Sequence, residues 1–280
     1  MYTIRPAEFD YVRPGSLEEA LAALAAEDAR PLAGGHSLLP MMKLRLARPA
    51  TLVDIARIPG LDGIRLEGDT LRIGALARHA AVASSDAVRD ACPVLAETAA
   101  GIGDPQVRNR GTIGGSLAHA DPGADYPTVT KALGATITVA GADGTREVGA
   151  DDFFVGIFAT ALGHAELVTE VAVPAVKAAA YVKHAHPASG YAVVGVAAAV
   201  HDGGVRIAVG GATPVAVRAT AAEESLGGGA ASPEAIAAAA ALVPGALEGA
   251  VGDTYASAEY RVHLAQVLAA RALTAAFARA

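Results

Sequence analysis

The chain has 280 residues and a net charge of −7, and only 4% of it is aromatic, with no tryptophan. No cluster of Lys or Arg stands out, which excludes the phosphate-neutralising stripe and the base-stacking platforms of a nucleic-acid binder. The 52% hydrophobic share is largely alanine, and no run approaches the roughly 18 uninterrupted apolar residues of a membrane-spanning helix.

Cys92 is the only cysteine, so an internal disulfide, a cysteine-rich zinc site and an iron–sulfur cluster held by this chain alone are all excluded. Within "DACPVLAE" it reads as a small buried hydrophobe. A chain of this length divides into two or three units, because single cores rarely grow beyond about 250 residues. The opening "MYTIRPAEFDYVRPGS" carries charges and prolines where a signal peptide has an apolar stretch, and the chain is read as cytoplasmic.

In chain order, "SLEEALAALAAED" opens with a capping box, Ser16 and Glu19, and places Leu17, Ala20, Leu21 and Leu24 on one face of an amphipathic helix. A short apolar run then leads through Gly34-Gly35 into a mixed segment and the strand-like "TLVDI". Residues 64–76 alternate around Gly68-Asp69 and read as a hairpin, and residues 135–148 form a second one with Asp143-Gly144 at its bend. Between them, "SSDAVRDACPVLAETAAGI" has helical spacing, and "GDPQVRNRGTIGGSLAHADPGAD", residues 103–125, reads as a loop system.

Beyond Val171 come three strand-like runs broken by Gly and Pro. "SPEAIAAAAAL" follows with Ser at the N-cap and Pro at N1, and "SAEYRVHLAQVLAARALTAAFARA" closes the chain as a long helix. The change of character at 174–178 marks a C-terminal domain. The pattern is α+β.

Two segments share one chemical character: "AGGHSL" at 33–38 and "TIGGSL" at 112–117 each place a hydroxyl side chain just after a glycine pair. Successive N–H groups without Cβ obstruction make anion-binding nests, so two such loops brought together would clamp a pyrophosphate; a single Gly-Gly pair is most often only a turn. Other motifs fail on the same residues. A dinucleotide fingerprint starting at Gly101 ends in Gln106, no Gly-Lys-Ser/Thr occurs, and a nucleophile elbow around Ser116 has Ala118 where its last glycine belongs. His119, Asp121 and Asp125 suggest a hydrolytic triad by adjacency alone, which is not support. His184 and His186 lack further ligands at metal spacing and read as surface or interface positions.

The segments "PLAGGHSLLPMMKLRLARPATLVDI", "GDPQVRNRGTIGGSLAHADPGADYP", "YVKHAHPASGYAVVGVAAAV" and "SAEYRVHLAQVLAARAL", in this order and over nearly the whole chain, resemble the FAD-binding medium subunit of the molybdenum hydroxylases. The pattern is that of the aerobic carbon monoxide dehydrogenase and xanthine dehydrogenase family. The resemblance implies a two-subdomain FAD-binding unit of the vanillyl-alcohol-oxidase (PCMH) type, residues 1–57 and 58–174, followed by a C-terminal α+β domain with a three-stranded sheet, residues 178–280. It puts the first pyrophosphate loop on Leu32, Ala33, Gly34, Gly35, His36, Ser37 and Leu38. The second falls on Thr112, Ile113, Gly114, Gly115 and Ser116, with the Gly114 side-chain position reserved for the phosphates.

By the same resemblance Asp125 binds a flavin-nucleotide hydroxyl, Ile102 packs on the flavin ring, and Leu167 and Val168 line the cofactor. Plain core packing is an equal reading of those three apolar residues. Lys183 reaches the flavin's polar edge, where a cation favours the reduced anionic form, and Tyr191 covers the isoalloxazine. Arg108 and Arg110 either brace the loop or face an iron–sulfur subunit.

The implied function is electron relay. A large molybdenum–pterin subunit oxidises the substrate, a small subunit carries two [2Fe–2S] clusters, and FAD in this chain passes electrons to an external acceptor. The assembly is a dimer of heterotrimers, cytoplasmic or held at the inner face of the membrane through the complex. No proton-abstracting residue or resident metal is expected in the chain itself. Two other classes are weighed against this reading: a stand-alone FAD-dependent oxidase or reductase of the same fold, and a binding or assembly protein that has lost the cofactor.

Overall fold

A computed structural model describes residues 5–201, 203–227 and 231–280. The first part of the chain runs β1 (Asp10–Val12), α1 (Leu17–Leu24), β2 (Ala29–Leu32), α2 (Leu38–Lys43) and β3 (Thr51–Asp54). Its three strands form a small parallel sheet in the order β1-β3-β2. Ser16 caps α1 by accepting from the Glu19 N–H, while the Glu19 carboxylate reaches back to the Gly15 N–H at 2.7 Å, one residue beyond the usual reciprocal bond of a capping box. Ala20 and Leu24 of the expected face are fully buried, and Leu17 and Leu21 pack partly against the same small core.

The hairpins appear as read: β4 (Ile64–Glu67) with β5 (Thr70–Gly74), and, after the helices, β6 (Thr136–Gly141) with β7 (Gly144–Gly149). Between them lie α3 (His79–Ser84), α4 (Asp86–Ala91), α5 (Pro93–Ala100), α6 (Pro105–Arg108), α7 (Ile113–His119) and α8 (Asp125–Leu133). The single helical stretch expected after Ser84 is divided, because Cys92 ends α4 and Pro93 starts α5 at N1. Residues 103–125, expected as loop throughout, contain two short helices. Asp104 caps α6 with Pro105 at N1 and Thr112 caps α7; elements this short carry too few turns for apolar periodicity to register.

Next come α9 (Ala150–Phe153), the short pair β8 (Phe154–Gly156) and β9 (Ala159–Thr160), and β10 (Leu167–Pro174). β10 enters the middle of an antiparallel sheet ordered β4-β5-β10-β6-β7, joining the two hairpins. The last part consists of β11 (Ala179–Ala185), β12 (Ala192–His201), β13 (Gly204–Gly210), β14 (Val217–Arg218), α10 (Thr220–Leu226), α11 (Pro233–Leu242), a 3-10 turn at Val243–Ala246 and α12 (Ala258–Phe277). The three long strands expected here are present, and two-residue β14 adds a fourth to their antiparallel sheet. Ser232 caps α11 as the sequence indicates, and Ser257 caps the long helix α12.

Every residue of α8 is buried, because the helix lies between the five-stranded sheet and the β11–β14 sheet and touches both. The largest core joins Leu71, Ile73, Leu95, Leu117, Tyr126, Ile137 and Phe153, and reaches Ala197 and Ala208 of β12 and β13. Two halves of the chain therefore share apolar contacts through one helix. Cys92 belongs to this core, where burial pushes its thiol up to about 12, so it is neither nucleophile nor metal ligand at neutral pH.

Leu95 is fully buried on α5, so Leu95→Ala is expected to cost about 2–5 kcal/mol of stability. Leu46, 72% exposed, should change by less than about 0.5 kcal/mol on truncation. Urea unfolding of the two variants checks the difference.

Candidate functional site

The first glycine loop leaves the C-terminal end of β2 and turns into α2. Gly35 sits there at φ 77°, a left-handed angle that glycine adopts without steric cost. Gly34 has no room for a side chain: a Cβ there would collide with the Arg110 carbonyl and lie 2.8 Å from the Gly111 Cα. The two loops, far apart in sequence, therefore meet backbone to backbone.

Their donors are arranged differently. Among the described residues no protein acceptor takes up the N–H groups of Gly34, Gly35, His36 and Ser37, so the first loop presents a row of amides suited to an anion. In the second loop the Ile113 N–H bonds the Ala77 carbonyl at 3.0 Å, the Gly114 N–H bonds the Ala75 carbonyl at 2.9 Å, and the Gly115 N–H bonds the Thr112 hydroxyl at 3.1 Å. The expectation of two equivalent amide nests is corrected accordingly: the second loop is anchored to the chain after β5 and offers the cleft the Ser116 side chain and its own surface. The space beyond Gly114 is also reassigned. A Cβ there would lie 2.9 Å from the Ala75 Cα and collide with its side chain, so the missing side chain admits the strand end rather than a phosphate.

Both loops open onto one cleft of about 820 Å³. Leu32, Ala33, Gly34, Gly35, His36, Ser37, Leu38, Ile102, Thr112, Gly114, Gly115, Ser116, Asp125, Leu167, Val168 and Tyr191 all line it. Ile113 and Lys183 do not. Ile113 is fully buried and points into the main core.

The Lys183 ammonium is bonded to Asp125 Oδ2 at 2.8 Å, to the Gly190 carbonyl at 2.9 Å and to the Gly101 carbonyl at 3.1 Å. An ammonium has three N–H donors, and all three are engaged. Lys183 thus ties α8, the turn before Tyr191 and the segment before Ile102 together, behind the cleft wall.

Asp125 is 5% exposed, and its other oxygen accepts from the Tyr181 hydroxyl at 2.6 Å. Burial raises its pKa, opposed by the Lys183 ammonium and the two hydrogen bonds; the same burial, with the Asp125 charge, holds the Tyr181 phenol neutral well above its usual range.

Arg108 takes the bracing role left open by its sequence position: Nη1 donates to the Ile102 and Gly103 carbonyls, both at 3.0 Å. Arg110 is exposed and contributes its carbonyl against Gly34. Leu167 and Val168 are both core and cleft wall, so the two readings of these residues coincide. Tyr191, 46% exposed, stands at the mouth beside Ser189 and Gly190.

Sequence reasoning missed His79, Phe158 and the wall at 162–166, which also line the cleft. His79 stands three positions before buried Val82, and a histidine on an otherwise apolar helix face was the one available signal. The hydrolytic triad finds no geometry. The His119 ring stacks on Phe158 at 5.0 Å and Asp125 is engaged by Lys183 and Tyr181. No group of three metal-ligating side chains occurs among the described residues, and the His184 and His186 rings lie against Tyr260 and Tyr255.

A row of unengaged amides, a facing glycine loop and a cleft walled by Leu167 and Val168, with an exposed tyrosine beside it, fit a ligand that joins an anionic part to an apolar one. The family follows from comparison with known proteins. A family model described as the FAD binding domain in molybdopterin dehydrogenase matches residues 7–176, and one described as the CO dehydrogenase flavoprotein C-terminal domain matches residues 175–276. The chain belongs to this family of FAD-binding oxidoreductase subunits.

Among its relatives is the carbon monoxide dehydrogenase medium chain of Hydrogenophaga pseudoflava, 43% identical over 98% of this chain and 99% of that one. Another is subunit alpha of the 6-hydroxypseudooxynicotine dehydrogenase complex of Paenarthrobacter nicotinovorans, 40% identical over 99% and 97%. The solved carbon monoxide dehydrogenase of H. pseudoflava superposes with a TM-score of 0.93 at 44% identity, covering 98% of this chain and 99% of that chain. Quinoline 2-oxidoreductase of Pseudomonas putida 86 does so with 0.90 at 34%, covering 98% of each.

Gly34→Ala should force the loops apart at a strain of about 1–3 kcal/mol, weakening FAD binding roughly tenfold or more while the chain stays folded; titration of the apoprotein with FAD, followed by flavin fluorescence, measures it. Lys183→Met leaves the Asp125 carboxylate buried without its cation and should destabilise by about 3–5 kcal/mol. Adding Asp125→Asn to that variant should recover most of the loss in chemical denaturation.

Proposed function

We propose that this chain is the electron-relay subunit of a three-subunit molybdenum hydroxylase of the carbon monoxide dehydrogenase kind, assembled with a large molybdenum–pterin subunit and a small iron–sulfur subunit as a dimer of heterotrimers in the cytoplasm or at the inner face of the membrane. The chain divides near residue 58 and at 174–178, into two FAD-binding subdomains and a C-terminal domain. Bound FAD supplies the redox chemistry, taking electrons from the [2Fe–2S] clusters of the small subunit and delivering them to an external acceptor.

The chain's own residues bind and orient. The free amides of Gly34 to Ser37 fit the pyrophosphate, Ser116 adds a hydroxyl from the facing loop, and Leu167 and Val168 exclude water from one wall. Tyr191 would cover the ring end, and Arg108 and Lys183 fix the Gly101–Gly103 backbone beside it. Asp125 borders the cleft with both oxygens already hydrogen-bonded, so a cofactor hydroxyl would share one of them; a carboxylate has about four acceptor positions.

One observation carries the relay reading: the sole cysteine is sealed in the main core, so an iron–sulfur source of electrons has to lie on another chain. Medium chains and subunits are also what the relatives' names describe. The stand-alone oxidase reading draws on the same cleft and differs in needing no partners.

Purification from the native source under gentle conditions should yield a yellow complex containing about one FAD per copy of this chain, together with molybdenum and iron. The chain alone, loaded with FAD, should not turn over the substrate of the complex. Isolation without either partner, or full activity of the lone chain, sinks the relay reading.

A further inference from the structure

One buried titratable group stands against the cofactor loops without a role so far. His79, the first residue of α3, is 4% exposed and borders the cleft. Its backbone N–H bonds the Gly111 carbonyl at 3.0 Å, and Arg78 bridges Thr112 beside it. Its ring fills the place of a side chain at 111: a Cβ on Gly111 would lie 2.5 Å from His79 Nε2 and 2.8 Å from its Cδ2. The Cα of the same glycine is what a Cβ on Gly34 would meet from the first loop.

Gly111 is therefore clamped between the first loop and an imidazole. Beyond the imidazole is the Tyr126 ring, with centroids 5.4 Å apart. Among the described residues, two polar atoms in this stack, His79 Nδ1 and the Tyr126 hydroxyl, are buried without a hydrogen-bond partner. Such atoms cost stability, so an apolar wedge of the same size would be cheaper on that side.

We propose that His79 is a positioning residue for FAD: its ring is the backstop that holds Gly111, and with it the second loop, at the distance from Gly34 at which one pyrophosphate touches both loops. The inference rests on seating FAD in this cleft. Burial pushes the imidazole down to about 4, and the neighbouring His36 and Arg108 act in the same direction. The Tyr126 phenol, on α8, is held neutral by its own burial. On the other helices packed against α3, Arg89 pairs with Asp86 and Glu97 with Arg279; Asp90, also on α4, is exposed, and the Cys92 thiol between α4 and α5 is neutral.

The sign follows. A histidine that stays neutral in the fold while its unfolded counterpart takes a proton near pH 6.5 contributes stability above that pH, which is lost as the pH falls toward 4. At neutral pH the wedge is uncharged.

The test uses the full chain as apoprotein, titrated with FAD. His79→Ala should weaken binding roughly tenfold or more, as the loop relaxes into the vacated space. His79→Phe, which keeps a flat ring of similar size without a charge, should restore affinity to within roughly threefold of the parent. No affinity step near pH 6.5 should separate the parent from His79→Phe.

Full affinity of a folded His79→Ala protein overturns the inference, as does a His79→Phe protein as weak as His79→Ala. A pH step present in the parent and absent in His79→Phe also overturns it, since the imidazole would then act as a titrating phosphate ligand. Where His79→Ala does not fold, Gly111→Ala reads the same contact from the loop side and has to lose FAD for the inference to stand. Unchanged FAD binding by Gly34→Ala would instead overturn the seating of FAD between the loops, so the two failures are distinguishable.

Discussion

The site depends on one close approach, the first glycine loop lying directly on the backbone of Arg110 and Gly111. Any side chain at Gly34 would stand where the second loop runs, and any at Gly111 would stand in the His79 ring. From this contact the cleft takes its width. It also brings the β1–β3 sheet to the large antiparallel sheet, because the second loop hangs from the Ala75–Ala77 backbone that follows β5. The second loop's amides are used in that attachment, which leaves the unengaged amides on the first loop. Two sequences that look equivalent thus differ in what their backbones do, one left open to the cleft and the other held.

At the far end the corresponding constraint is the group Asp125, Tyr181 and Lys183. Asp125 opens a helix that is buried on all sides, and a carboxylate there is tolerable only when paired and hydrogen-bonded. The pairing reaches across from β11, and Lys183 carries its remaining N–H groups to the carbonyls of Gly101 and Gly190. Arg108 holds the next two carbonyls, those of Ile102 and Gly103. The segments carrying Ile102 and Tyr191 are thereby fixed by charged side chains that do not themselves enter the cleft. The C-terminal sheet is in this sense part of the cofactor site, since it supplies the cation that joins three segments.

Much of the local structure was legible because its causes are local. Both hairpins follow from period-2 alternation around Gly-Asp and Asp-Gly turns, and α1 and α11 from serine caps. The helices at 105–108 and 113–119 escaped notice because their signals are one cap and one turn, without periodicity. The site was legible in outline through its two glycine pairs and the order of motifs along the chain. Its mechanics were not: the Ile113 side chain turns inward, Gly114 makes room for Ala75, and Lys183 faces carbonyls. No spacing rule reports that a lysine will meet one carbonyl 82 residues away and another 7 residues away. His79 showed only as a histidine on an apolar helix face, and its role was hidden for the same reason, its partners being Gly111 and Tyr126 on other elements.

By itself, then, the sequence determined the class of chemistry. Glycine pairs followed by hydroxyls specify backbone recognition of an anion, a single cysteine rules out an iron–sulfur centre in this chain, and caps and turns set the elements, all through interactions spanning a few residues. The tertiary structure decided which amides remain free, which neighbours each glycine makes room for, and which charged groups brace the walls. Those outcomes rest on contacts between segments distant along the chain, where burial and the need to satisfy every polar group act together, and neither is a property of any one segment.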